Sequence, residues 1–174
     1  MDGSQDSMGP VDSAHMMQPS PPVSQLLLSL EEFAKRLQIA LSDPHIDWQW
    51  RPDPSSWSLA EVMCHLRDVE REVHLARYKA VISQENPFLS GVTSDEWAST
   101  RAYQKQDGRE AAASFFSLRR QTVEKLRELD YEQWERTGTH AFFGTTTLQE
   151  LINLAVQHDQ AHWQQVLELL SGAE

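Results

Sequence analysis

The sequence predicts an all-α protein, a four-helix bundle with long crossover connections. Four long segments carry apolar residues at spacings of three and four, which is the pattern of helices with one buried face. No segment shows the clear alternation of apolar and polar residues that indicates a half-buried strand. The segments between the predicted helices are longer than the roughly 2–8 residues that connect neighbours in simple up-down bundles, so long crossovers are expected and parallel neighbours become feasible.

Composition limits the class of protein. A chain of 174 residues suits one domain with one substantial core. Its net charge of −11 disfavours nucleic acid and anionic membranes as partners. The single cysteine, Cys64, excludes an intramolecular disulfide and a thiolate zinc cage, and it favours a reducing compartment. Without a signal-peptide pattern or a long apolar run, we expect a cytoplasmic protein.

The chain is expected to divide into a leader, residues 1–22, and a bundle, residues 23–170. The leader is rich in Ser, Pro and Gly and has no periodicity, so we expect it to be disordered. Because the run SAHM precedes Met17, we expect residues 1–16 to be an addition from cloning. The first helix begins at Val23 and is ended by Pro44. A loop with three tryptophans, DPHIDWQWRPDPSSW, follows and is expected to pack over one end of the bundle.

Three further helices begin at capping patterns, in which a side chain before the helix accepts from its first amides. These patterns are Ser58-Leu-Ala-Glu61, Asp107-Gly-Arg-Glu110 and Thr147-Leu-Gln-Glu150. The second helix is expected to end near Ile82 and the fourth near Leu170. The predicted inner face of the second helix consists of Val62, Leu66, Val69, Val73, Ala76 and Ala80. A crossover over 84–106, with a short helix after Thr93, follows the second helix, and the irregular segment 130–146 precedes the fourth.

Histidines interrupt the inner faces of the second and fourth helices. On the fourth helix, the inward positions run from Ala155 through His158 and His162 to Val166, and residues four apart lie on the same face. On the second helix, His65 lies at the edge of the inner face. His74 follows Val73 by about 100° around the helix, so it is expected to be exposed or at a boundary.

These three histidines, His65, His158 and His162, are the predicted metal ligands. A buried imidazole without a partner costs about 1–3 kcal/mol, and one shared divalent cation would satisfy all three. Three histidines with an open position are the pattern of a catalytic zinc site. Zinc or nickel is expected, with manganese or iron as further options. The alternative interpretation is that the two histidines of H-x-x-x-H are ordinary polar residues exposed to solvent and that His65 is a hydrogen-bonded boundary residue.

Two stretches carry a resemblance to a known family. WSLAEVMCHLRDVE (57–70) and GTTTLQELINLAVQHDQAHWQQV (144–166) resemble the DinB/YfiT-like family of metal-dependent enzymes, the bacillithiol and mycothiol transferase-like superfamily. The shared features are a Trp-Ser helix start, a His-Leu pair and an H-D-x-x-H motif. The resemblance covers roughly residues 23–170. It implies a four-helix bundle, a metal held by His65, His158 and His162, and a homodimer; some members use bacillithiol or mycothiol as thiol substrates.

Other polar residues allow two interpretations each. Asp68 and Asp159 are candidate catalytic residues, but Asp68 also suits an ion pair with a nearby arginine and Asp159 a salt bridge to a neighbouring helix. Glu61 is expected to cap its helix rather than to act as a base. Cys64 is expected to be a small buried residue. Gln165 continues the inward positions of His158 and could contact bound water.

Three functions are considered at this point, of which the first is favoured and the other two are alternatives. The first is a thiol S-transferase that brings a small-molecule thiol to an electrophilic substrate, with the metal keeping the thiol deprotonated. The second is metal-dependent hydrolysis at the same open position. The third is a non-catalytic protein that binds metal or a small ligand in a stress response. In each case the expected partners are small molecules and a second copy of the chain, with no nucleic acid and no membrane.

Overall fold

Four long helical segments build the bundle in the computed structural model, which describes residues 20–172. The helices, in chain order, are α1 (Val23–Ala40), α2 (Leu59–Val69), α3 (Leu75–Ser83), α4 (Trp97–Thr100), α5 (Gly108–Arg127), α6 (Tyr131–Trp134) and α7 (Leu148–Gly172). A π-helical turn, Glu70–His74, joins α2 and α3 into one continuous helix. With α1, α5 and α7, this helix completes the four-helix bundle, as the sequence predicts. Most of the expected leader, residues 1–19, lies outside the described residues.

Capping explains where α2, α5 and α7 begin. At α2, the Ser58 hydroxyl accepts from the Glu61 amide while the Glu61 carboxylate accepts from the Ser58 amide, which is the predicted capping box. At α5, the Asp107 carboxylate accepts from the two amides that follow Gly108. The carboxylate of Glu150 accepts from the Thr147 amide at the start of α7.

The tryptophan loop closes one end of the bundle, as expected. Trp48, Trp50 and Trp57 are partly buried and pack against the core formed by α1, α2, α5 and α7. The Trp48 ring lies so close to Gly108 that a Cβ there would come within 2.5 Å of the ring. Glycine at the start of α5 therefore allows the loop to pack tightly on the bundle.

The π turn changes which residues of α3 face the core. A π turn contains one more residue than an α turn, so the residues after it are rotated by about 100° relative to an uninterrupted α-helix. Tyr78 and Val81 are buried, whereas the predicted inward residue Ala76 is exposed and Ala80 is only half-buried. The prediction of an exposed His74 is wrong for the same reason, since His74 is buried.

A small three-stranded sheet corrects the expectation that the chain has no strands. Its strands are β1 (Phe88–Leu89), β2 (Thr137–His140) and β3 (Gly144–Thr147), in the order β1-β2-β3. β1 runs parallel to β2, and β2 pairs antiparallel with β3 in the register Thr139 to Thr145. Strands this short show no recognisable alternation. β3 leads directly into α7, so the sheet positions the start of the helix that carries two of the predicted ligands.

The helices and strands enclose two clusters of buried apolar side chains. One lies among α1, α2, α5 and the end of α7, and the other lies among α1, α3, α5 and the start of α7. Within residues 20–172, every helix is too short or too polar to cross a lipid bilayer.

Candidate metal centre

The structure brings the three predicted ligands together between α2 and α7. His65 Nε2 lies 3.2 Å from His158 Nε2, which lies 3.1 Å from His162 Nε2. One ring nitrogen from each residue lies within 4.8 Å of the others. His65 is buried, and the other two are partly exposed. Residues 93 positions apart in the chain therefore converge on one point.

The geometry and protonation of this cluster fit a metal ion. Bonds of about 2.0–2.1 Å at near-tetrahedral angles place ligand nitrogens about 3.3 Å apart, close to the two distances above. Burial lowers the pKa of His65 to about 3 and that of His158 to about 2, and it also lowers the pKa of His162. All three imidazoles are therefore neutral at pH 7, which is the form that binds metals.

Gln165 fixes the orientation of one imidazole. His162 Nδ1 donates to Gln165 Oε1 at 2.9 Å, and the proton on Nδ1 leaves the lone pair of Nε2 free. The sequence indicated that Gln165 faces inward but did not identify it as a partner of His162. The spacing could have predicted this contact, because residues three apart on a helix, such as His162 and Gln165, are neighbours.

Two aromatic residues pack against the histidines. The Trp57 ring lies 5.0 Å from the His65 ring, centroid to centroid. The buried His74 ring meets His158 edge to face at 5.4 Å, and burial lowers the pKa of His74 to about 4. These contacts limit the movement of two of the three imidazoles.

Asp159 does not contact the histidine cluster; it forms a buried salt bridge. Arg119 donates to both Asp159 oxygens, at 2.6 and 2.9 Å, and to Glu70 at 3.0 Å. It also donates to the Leu30 carbonyl at 3.3 Å. Of the two interpretations of Asp159, the salt bridge to a neighbouring helix is the one observed. Arg119 thereby links α1, the π turn and α7 just behind the histidines.

Asp68 is also held by arginine. It accepts from Arg67 at 2.7 Å, from Arg101 at 2.9 Å and from the Tyr103 hydroxyl at 2.8 Å. Burial alone would raise the pKa of Asp68, but these hydrogen bonds hold it below its usual value. The expected ion pair is therefore observed, and the carboxylate has few lone pairs left for catalysis.

Two further residues of α2 behave as expected. Glu61 caps the helix and forms a salt bridge with Arg51 at 2.9 Å. Cys64 is fully buried, and burial raises the pKa of its thiol to about 11. Neither residue is available to a substrate.

A cavity of about 660 Å³ opens beside the histidine cluster. It is lined by His162 and Gln165, by the side chains of Trp50 and Trp57, and by two carboxylates, Asp95 and Glu168. The sequence did not single out these carboxylates. Asp95 lies on a 3₁₀ turn, Ser94–Glu96, inside the long crossover, and the position of such a turn relative to α7 is not encoded in local patterns.

The fold and the site together define a helical-bundle protein with three converging histidines beside an open cavity. The family model of the DinB superfamily matches residues 26–166. The chain therefore belongs to the DinB superfamily.

Two known proteins are similar to this chain. A relative from Oceanobacillus iheyensis, named "Putative metal-dependent hydrolase OB0782", is 26% identical over 141 residues, which cover 80% of this chain and 79% of the relative. YfiT from Bacillus subtilis is described as "a probable metal-dependent hydrolase with an unusual four-helix bundle topology". Its structure aligns with a TM-score of 0.73 at 21% identity, over 87% of this chain and 90% of YfiT. At that identity, the alignment supports the fold.

Proposed function

We propose that this protein is a metal-dependent enzyme in which His65, His158 and His162 hold a divalent cation. The observation that carries the proposal is the convergence of three neutral imidazoles, with Nε2 atoms 3.1 and 3.2 Å apart, beside an open cavity. The two similar proteins described above are named a "putative" and a "probable" metal-dependent hydrolase, which agrees with the proposal. Three neutral nitrogen ligands and an open position suit zinc or nickel, with manganese and iron as further candidates.

Hydrolysis is the first candidate reaction. A divalent cation with an open position supplies a Lewis acid that lowers the pKa of a water or thiol bound to it. Asp68 and Asp159 are held by arginines, whereas Asp95 and Glu168 line the same cavity as His162. The charge of Asp95 also acts on His162, where it opposes the lowering of the His162 pKa by burial. Asp95 is therefore our candidate for accepting a proton during the reaction.

Thiol transfer is the second candidate, and the size of the cavity favours it. About 660 Å³ is enough for a small thiol and an electrophile to be bound together. The chain cannot supply that thiol from Cys64, which is fully buried. The nucleophile of a transfer reaction would therefore come from a separate small molecule such as bacillithiol or mycothiol.

Metal analysis tests the proposal. Protein purified without a chelating resin should contain about one equivalent of divalent metal per chain. The metal content is measured by inductively coupled plasma mass spectrometry. The His158→Ala/His162→Ala variant should lose it, while His45→Ala, an exposed loop histidine, should retain it. Equal metal contents in the wild type and the double variant would refute the proposal.

Activity assays separate the two reactions. A chromogenic electrophile is offered with bacillithiol, mycothiol or glutathione, and a chromogenic ester is offered in water alone. Product that requires thiol supports transfer, whereas product without thiol supports hydrolysis. Both activities should disappear in His158→Ala/His162→Ala.

A further inference from the structure

We infer that the cavity beside the three histidines takes a small organic cation, namely an amine that carries an apolar or aromatic group. This inference rests on the proposed function, because the cavity is the space through which a substrate would reach His162. It adds the chemical class of the substrate, which membership of the family and the names of the relatives leave open.

The charged groups that line the cavity favour a cation. Asp95 and Glu168 both line it, and its lining contains neither lysine nor arginine. Arg51, which lies in the same loop as the cavity residue Trp50, is paired with Glu61 instead. Within residues 20–172, neither Asp95 nor Glu168 forms an ion pair. Their charge is therefore available to a positively charged group of a ligand.

The orientation of α7 adds to this negative potential. His162, Gln165, Glu168 and Gly172 follow one another along one side of the cavity, so the cavity extends from the histidines toward the end of α7. The C-terminal end of a long helix carries a partial negative charge of about half an electron. The last turn of α7 contains no basic residue to offset that charge.

Two tryptophans in the cavity lining would bind the apolar group of the ligand. Trp50 packs over Gly172, and Trp57 lies between the cavity and His65. The face of an indole attracts a cation and also contacts apolar groups. An ammonium group near the carboxylates, with an apolar body against the two indoles, would use both features of the cavity.

Three probes with the same benzyl group test the inference on metal-free, full-length protein: benzylamine, benzyl alcohol and phenylacetate. Metal is removed first, because phenylacetate and the free-base form of benzylamine would otherwise bind it directly. Binding is measured near neutral pH by calorimetry and by the shift of the Trp50 indole N–H signal in NMR, assigned with Trp50→Phe. Each exposed ion pair contributes about twofold to fivefold in affinity, so the two carboxylates together should make benzylamine bind about fourfold to 25-fold more tightly than benzyl alcohol.

Isosteric variants test whether Asp95 and Glu168 cause the preference for benzylamine. Asp95→Asn and Glu168→Gln should each weaken benzylamine binding by about twofold to fivefold and leave benzyl alcohol unchanged. Glu124→Gln, an exposed carboxylate on α5 outside the cavity lining, is the matched control.

Three results would overturn the inference: equal affinities for benzylamine and benzyl alcohol, no effect of the double variant Asp95→Asn/Glu168→Gln, or no binding of benzylamine at all. The metal content of the same preparations, measured before the metal is removed, tests the proposed function separately. Protein that binds metal but shows no preference for the amine would refute the substrate class alone.

Discussion

Replacing Arg119 by methionine should destabilise the protein more than any other single exchange of a charged residue discussed above. Arg119 is 2% exposed and donates to Asp159 at 2.6 and 2.9 Å and to Glu70 at 3.0 Å. Methionine is about as long as the aliphatic portion of the arginine side chain, but it leaves two buried carboxylates without their counter-charge. Breaking one buried ion pair costs about 3–5 kcal/mol, and stabilities of such domains are about 5–15 kcal/mol. Arg119→Met should therefore lose about 3–5 kcal/mol or more.

Urea unfolding followed by tryptophan fluorescence measures this loss. The matched control is Arg127→Met, which breaks an ion pair of similar length, 2.7 Å to Glu31, on the exposed surface. That exchange should cost about 0–1 kcal/mol. A loss below about 1 kcal/mol for Arg119→Met, or equal losses for both variants, would refute the argument that burial makes the difference.

The pH dependence of the Arg119→Met variant provides a second check. Burial raises the pKa of Asp159 to about 6 even with Arg119 present, whereas Arg119 holds the pKa of Glu70 below its usual value. Without the guanidinium, both pKa values should rise in the folded state and lie above the values of the unfolded chain. The folded state then binds more protons than the unfolded state, so stability falls as pH rises through this range. Relative to the wild type, the variant should be less destabilised at mildly acidic pH than at neutral pH. A loss that is independent of pH would show that the two carboxylates are not the source of the penalty.

Three smaller predictions concern the site and the loop over the bundle. Gln165→Leu removes the acceptor of the His162 Nδ1 proton and should weaken zinc binding about tenfold to 100-fold, measured by competition with a fluorescent chelator; unchanged affinity would exclude this role. Cys64 should resist a thiol reagent in the native protein and react fully in denaturant, since it is fully buried. Gly108→Val should cost about 1–3 kcal/mol in urea unfolding, because its Cβ would meet the Trp48 ring; a neutral exchange would mean that the loop can shift.

Local patterns were enough to predict the helices and the histidine cluster. The capping box from Ser58 to Glu61 and the inward positions of His158 and His162 depend only on residues three or four apart. His65 could be placed on the inner face for the same reason. The convergence of these three residues then follows from the pairing of α2 with α7 in a bundle.

The parts that the sequence did not reveal depend on distant contacts. Arg119 reaches carboxylates 40 and 49 residues away, and no local pattern distinguishes it from the exposed arginines of α5. Asp95 joins the cavity because the crossover passes beside α7, a path that periodicity does not specify. The strands are too short to show alternation. For Asp68 and Asp159 the sequence allowed either a catalytic role or a salt bridge, and only the distant arginines decide between the two interpretations.

The π turn has a consequence for comparing this chain with its relatives. One extra residue in a helix acts as an insertion that leaves the helix unbroken. A relative without the turn would align correctly along α3 only with a one-residue gap between Val69 and Leu75. Without that gap, Tyr78 and Val81 would be aligned with residues that do not face the core in the relative. The core residues of the two proteins would then falsely seem to differ. Sequence identity over α3 would then underestimate how similar the two cores are.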